Sequence, residues 1–228
     1  MTELGNVLIS GGASGLGAAT VAAVQEAGGR PLVLDRDAPA ADVPHVQVDV
    51  TDTEATTRAV RQLAEEAGGL DAVFTAAGMD IPGTLDSVPA ETWENVVRVN
   101  LFGTAAVVRA ALPHLERSGG TVVTVASTLG IKAVSDATAY CAAKFGVVGF
   151  TRALAAELAG RVGVTLLVPG GMHTAFFDTR EDRYKPPADA KLNRPEDVAR
   201  TVVFALSQPA GSQVRELVVC SDEESSWP

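Results

Sequence analysis

The apolar positions of this chain fall into short β-branched runs separated by longer alanine-rich stretches. Val7-Leu8-Ile9, Leu32-Val33-Leu34, residues 46–50, Ala72-Val73-Phe74, residues 121–126, residues 164–168 and Leu217-Val218-Val219 each read as a strand. These runs are continuously apolar rather than alternating, as in strands covered on both faces. Between them the pattern lengthens to a helical period over residues 16–27, 89–99, 101–117, 139–159 and 195–206, and over a segment that Asp52 caps and that reaches residue 67. Gly28-Gly29 and Gly68-Gly69 read as helix stops, and Pro195 as a first-turn residue. Strands alternating with helices predict an α/β domain, and right-handed crossovers make it a doubly wound sheet of about seven mostly parallel strands. No change of composition marks a second domain, so residues 1–228 are read as one. One irregular stretch, residues 174–193, is rich in Asp, Arg and Pro.

Composition narrows the function. The 228 residues are 46% apolar and 20% charged, enough for one large core. A net charge of −10 repels phosphate backbones and argues against nucleic acid as a partner. No uninterrupted apolar run reaches the roughly 18 residues of a membrane span. The start MTELGNVLIS lacks the basic and apolar segments of a signal peptide, and the two cysteines, Cys141 and Cys220, read as reduced, inert thiols. A cytoplasmic protein without a metal site is therefore expected.

The first strand runs into Ser10-Gly11-Gly12-Ala13-Ser14-Gly15-Leu16-Gly17 and then into a helix. In that context a glycine turn can cradle a pyrophosphate, in a Rossmann-type arrangement. Gly11 permits the tight turn, while Gly15 and Gly17 remove side chains where the anion meets the helix N-terminus. Ser14 and Leu16 belong to the same turn. A loop that serves backbone geometry alone is the alternative reading. Asp35 ends the second strand eighteen residues after Gly17. An acid there accepts hydrogen bonds from the adenosine ribose and repels a 2′-phosphate, which favours NAD. Arg36 could pair with such a phosphate, so NADP stands as the second choice.

Tyr140 and Lys144, four apart in a predicted helix, share a face, and Ser127 ends the fifth strand. A phenol is a poor base at neutral pH, but a neighbouring ammonium and an oxidised nicotinamide are expected to lower its pKa. The Ser127 hydroxyl can hold a substrate oxygen beside that of Tyr140. A Tyr/Lys pair alone is commonplace; with the strand-end serine and the glycine turn it points to hydride transfer between a nicotinamide and an alcohol or ketone.

These pieces, with Asp49-Val50, Ala76-Ala77-Gly78, Asn100 and Pro169-Gly170, resemble the classical short-chain dehydrogenase/reductase family in order and spacing over nearly the whole chain. The resemblance implies Tyr140 as general acid/base, Ser127 as substrate-oxygen anchor, and Lys144 on the nicotinamide ribose. Asn100 would hold a relay water. Asp49 would meet the adenine with Val50 beside it. Ala76, Ala77 and Gly78 would approach the cofactor through backbone, and Pro169, Gly170, Met172 and Thr174 would line the nicotinamide side. Two departures stand out: Thr75-Ala76-Ala77-Gly78 replaces the family's Asn-Asn-Ala-Gly, and an acidic tail follows the last strand. The resemblance also implies a homotetramer or dimer, formed through helices near 101–117 and 139–159.

Residues 174–193 occupy the family's substrate lid. Phe176 and Phe177 are expected to face the pocket and the lid's charges to face water. Met79, Thr128, Leu129, Val134 and His173 are further substrate-side candidates by position. Two rival readings are a dinucleotide-binding sensor or scaffold without turnover, and a dehydratase or epimerase on the same fold.

Overall fold

The computed structural model describes residues 4–224 together with Ser226 and Trp227. Its seven strands are β1 (Asn6–Ser10), β2 (Arg30–Asp35), β3 (His45–Gln47), β4 (Ala72–Thr75), β5 (Thr121–Val125), β6 (Gly163–Pro169) and β7 (Glu216–Val219). They form one sheet in the order β3-β2-β1-β4-β5-β6-β7, every neighbouring pair parallel. The helices are α1 (Gly15–Glu26), α2 (Thr53–Ala67), α3 (Ala90–Val97), α4 (Thr104–Ser118), α5 (Thr138–Glu157) and α6 (Pro195–Leu206).

The continuous apolar runs are explained by cover on both faces. Val7, Ile9, Val33 and Phe74 pack with Val21 and Val24 of α1 and Val198 and Val202 of α6. Their strand neighbours Leu8, Leu32, Leu34 and Val73 pack on the opposite side with Val60 and Leu63 of α2 and Val107 and Leu115 of α4. Successive strand residues point to opposite faces, so one run feeds two cores. Asp52 caps α2 by accepting from the Ala55 N–H at 2.9 Å, and Gly68 ends it at φ 82°.

Two boundaries differ from the sequence expectation. The third strand lies at His45–Gln47 rather than 46–50; Val48 and Val50 are buried beyond the sheet. The expected break near residue 100 is absent. α3 and α4 are joined by a π-helical turn, Arg98–Gly103, into one helix from Ala90 to Ser118. One 18-residue window of it has a mean hydropathy of 1.3, so it is long and apolar enough to cross a membrane by length and composition. Here Val107, Ala111 and Leu115 seat it on the sheet.

The chain order places β1 and β4 side by side, with successive connections leaving in opposite directions from that pair. Such a switch point opens a crevice at the carboxyl ends of the strands, where ligands bind in sheets of this kind.

Candidate active site

The crevice is a cleft of about 480 Å³. At one end stands the glycine turn. Gly11 has φ 75°, and a Cβ there would lie 2.5 Å from the Ala77 backbone nitrogen. A Cβ on Gly17 would overlap the Gly11 carbonyl oxygen. Only glycine lets the turn, the β4 loop and the start of α1 close together. Ser14, at the helix N-cap, makes no side-chain cap bond, and the first turn of α1 carries no acid. Its free N–H groups and positive dipole end suit an anion. The Asp35 carboxylate accepts from the Ala13 N–H at 2.9 Å and the Asp37 N–H at 3.2 Å, bracing the turn from the end of β2. Arg36, Asp49 and Val50 line the same end. An uncapped helix start and a strand-end acid at one end of a long cleft fit a dinucleotide.

At the other end, α5 presents Tyr140 and Lys144 on one buried face. The Lys144 ammonium donates to the Val125 carbonyl at 2.9 Å and lies 5.5 Å from the Tyr140 ring centroid. Ser127 follows β5 and caps a short 3-10 turn by accepting from the Leu129 N–H at 3.1 Å. Its hydroxyl faces the Tyr140 phenol closely enough to favour the phenolate. Asn100 sits in the π turn, where its amide donates to the Met79 carbonyl at 2.7 Å and the Val96 carbonyl at 2.8 Å. Its buried Oδ1 has no partner. π turns concentrate at functional sites; this one delivers an unused acceptor to the cleft.

Burial raises the Tyr140 pKa above the ordinary phenol value; Asp80 adds to the rise, while the Ser127 hydroxyl opposes it. The expected lowering by Lys144 is not found in the protein by itself. Burial also pushes the Lys144 ammonium down, to about 8, which weakens it as a source of positive field.

The stretch expected to form a lid contributes Thr174, Ala175, Phe176, Phe177 and Arg180 to the cleft wall. Its ends are stitched by the His173 N–H donating to the Asn193 carbonyl and the Asn193 N–H to the Gly171 carbonyl, each at 2.9 Å. The Phe176 ring lies 5.8 Å from that of Tyr140, and Phe177 meets Phe176 edge-on. Arg180 departs from the expectation that lid charges face water. It stacks on both phenylalanines and bonds Asp80 at 2.8 Å, with side chains only 12% and 3% exposed. Burial lowers the pKa of Arg180 and raises that of Asp80, while their mutual attraction opposes both shifts. The outer lid charges do face solvent, in Arg183–Glu181 and Lys185–Asp182 pairs.

Every cofactor-side residue expected from the sequence lines the cleft, as do Met79, Thr128, Leu129, Phe176 and Phe177. Val134 and His173 do not. Val134 sits 42% exposed on the loop before α5. His173 borders a neighbouring open depression that shares Met172, Thr174, Ala175 and Phe177 with the cleft, and does not line the cleft itself. Sequence reading missed three contributors. Arg180 and Asp80 are one. The tail supplies the others: Glu224 accepts from the Gly171 N–H at 3.0 Å, and the Ser226 hydroxyl bonds that of Thr128 at 2.6 Å. The acidic run after β7 was the available signal.

Comparison with known proteins agrees with this geometry. The sequence profile of the short chain dehydrogenase family matches residues 5–185. An uncharacterized oxidoreductase of Staphylococcus aureus (strain MRSA252) is 32% identical, covering 93% of this chain and 95% of its own. A 2,5-dichloro-2,5-cyclohexadiene-1,4-diol dehydrogenase of Sphingobium indicum is 31% identical, covering 89% of each. The ligand-free aldohexose dehydrogenase of Thermoplasma acidophilum superposes with a TM-score of 0.86 at 22% identity, over 94% of this chain and 92% of that one. The alcohol dehydrogenase of Thermococcus sibiricus, complexed with 5-hydroxy-NADP, does so at 0.85 and 22%, over 94% and 95%. Profile, relatives and fold agree, and the chain belongs to the short-chain dehydrogenase family of nicotinamide-dependent oxidoreductases.

Proposed function

We propose that this protein transfers hydride between a nicotinamide cofactor and a secondary alcohol or its ketone, with Tyr140 as general acid/base. One observation carries the reading: Tyr140, Ser127 and Lys144 converge at the far end of the cleft that begins at the glycine turn. A bound nicotinamide supplies the hydride acceptor or donor. The chain's own residues do the rest. Ser127 holds the substrate oxygen. Tyr140 takes the hydroxyl proton as the alcohol is oxidised, or gives it to the carbonyl oxygen as the ketone is reduced. Lys144, beneath the ring, and the free Oδ1 of Asn100 suit a proton path leading away from the phenol. Phe176 and Phe177 exclude water from above. The alcohol dehydrogenase and diol dehydrogenase among the similar proteins, by their names, act on alcohols. Reduced nicotinamide forming from NAD and a secondary alcohol, in an assay that Tyr140→Phe silences, tests the reading.

NAD is the proposed cofactor because Asp35 places a carboxylate at the ribose end, although the Thermococcus structure holds an NADP analogue. Asp35→Ser removes that repulsion. It should shift the NADP-to-NAD ratio of kcat/KM by about tenfold or more toward NADP. Overall affinity should fall as well, since Asp35 also braces Ala13. An unchanged ratio in steady-state kinetics would assign cofactor choice elsewhere.

The protein is proposed to be a homo-oligomer. Phe102 on the π turn and Phe145 on α5 are 59% and 44% exposed, on the helical segments through which such a pairing would run. A monomeric mass by light scattering would contradict this.

A further inference from the structure

The Asp80–Arg180 pair stands outside the Ser127, Tyr140, Lys144 and Asn100 set, and the chemistry proposed above does not use it. Asp80 lies on the loop after β4 and Arg180 on the lid, 100 residues apart. A guanidinium can fork onto both oxygens of a carboxylate. Here the bond runs from one Arg180 Nη to one Asp80 oxygen, and Asp80 Oδ1 and Arg180 Nε are buried without partners.

The placement says more. Asp80 is withdrawn from the cleft, whereas Arg180 lines it, its plane held by Phe176 and Phe177. Arg180 is thus fixed in the cleft wall with its charge balanced by Asp80 from behind. The Phe176 ring lies 5.8 Å from the Tyr140 ring and 5.0 Å from the Arg180 guanidinium carbon, which puts the pair at the Tyr140 end of the cleft. Guanidinium N–H groups need an acceptor. A carboxylate would set a second anion beside Asp80 in a site where burial already disfavours one. A neutral oxygen meets no such penalty.

We propose that Arg180, braced by Asp80, is a specificity-determining residue that binds a second, neutral oxygen on the substrate, so that the preferred substrates are diols and the hydroxyketones derived from them. This rests on the cleft being an alcohol/ketone site, and it names the substrate class of that site.

The test compares 2- and 4-hydroxycyclohexanone with cyclohexanone. Binding is read by calorimetry on protein loaded with oxidised cofactor, where no reduction can occur. Turnover is read separately with reduced cofactor. At least one hydroxyketone should bind roughly tenfold tighter than cyclohexanone, as expected for a buried hydrogen bond to a charged group. In Asp80→Asn/Arg180→Gln, which keeps polar groups of similar size without charge, the advantage should fall below about threefold. Arg180→Lys should keep part of it, and thermal unfolding checks that both variants fold. Equal binding of all three ketones by the native protein, no binding of either hydroxyketone, or a preference that survives in the double variant would each overturn the proposal. Selective binding without reduction would leave this inference standing and sink the hydride-transfer reading. Reduction without selectivity would do the reverse.

Discussion

Replacing Tyr140 by phenylalanine should lower kcat/KM by about a thousandfold while changing the cofactor Kd by less than about threefold. The ring stays in place: it packs with Val96, Ala139 and Phe176, and its removal is not part of the change. Only the oxygen that faces Ser127 and the substrate is lost. The pH profile adds a second readout. Burial raises the Tyr140 pKa, so the phenol keeps its proton at neutral pH and is ready to act as the acid in ketone reduction. Alcohol oxidation needs the deprotonated form and should accelerate as pH rises above neutrality. In the variant that acceleration should disappear. Steady-state kinetics in both directions, with cofactor titration alongside, checks this; activity within tenfold of the native protein would assign the acid/base role elsewhere.

The second large effect is on stability. Lys144→Met should make the cofactor-free protein more stable at pH 7, by about 2 kcal/mol, while removing most of its activity. Burial lowers the Lys144 pKa from 10.5 to about 8. Between those values the unfolded chain binds one proton that the folded chain does not, so stability rises with pH across that window. Below pH 8 the folded protein carries the full cost of a buried ammonium, about 3 kcal/mol from the size of the shift. The Val125 carbonyl, left without its donor, returns about 1 kcal/mol of that. The advantage of the variant should therefore shrink as pH approaches 10.5. Denaturant unfolding of both proteins at pH 7 and pH 10 tests it, because other titrations cancel in the difference. A variant less stable at both values, or a gap independent of pH, would show that Lys144 is not carrying a desolvation cost.

Much of this architecture is legible along the chain because its signals are local. Val7-Leu8-Ile9 reads as a doubly covered strand since one short run feeds two cores. The spacing of Gly11, Gly15 and Gly17 encodes a turn that admits no Cβ. Tyr140 and Lys144 are one helical turn apart, so their shared face follows from sequence alone. What escaped depends on tertiary contact. The sequence pattern breaks at Asn100, yet the Asn100 amide bonds the Val96 carbonyl four residues back and the helix continues as a π turn. Val48 and Val50 look like strand but belong to the loop that follows β3, with their side chains buried in one of the two cores. Asp80 and Arg180 carry no mutual signal across 100 residues, and an arginine in a charged loop reads as solvated. Glu224 and Ser226 reach the cleft only because the chain turns back after β7. Val134 and His173 have only chain position to recommend them, and neither lines the cleft.

The central claim, that this cleft moves hydride between an alcohol carbon and a nicotinamide, is tested most directly with labelled substrate. A panel of cyclic secondary alcohols and diols, deuterated at the carbinol carbon, would be incubated with the protein and NAD or NADP, and the cofactor read by mass spectrometry. Deuterium carried into reduced nicotinamide by the native protein and absent with Tyr140→Phe is the predicted result. Cofactor bound to the protein with no label transferred from any member would contradict the account and favour a dinucleotide-binding protein without turnover.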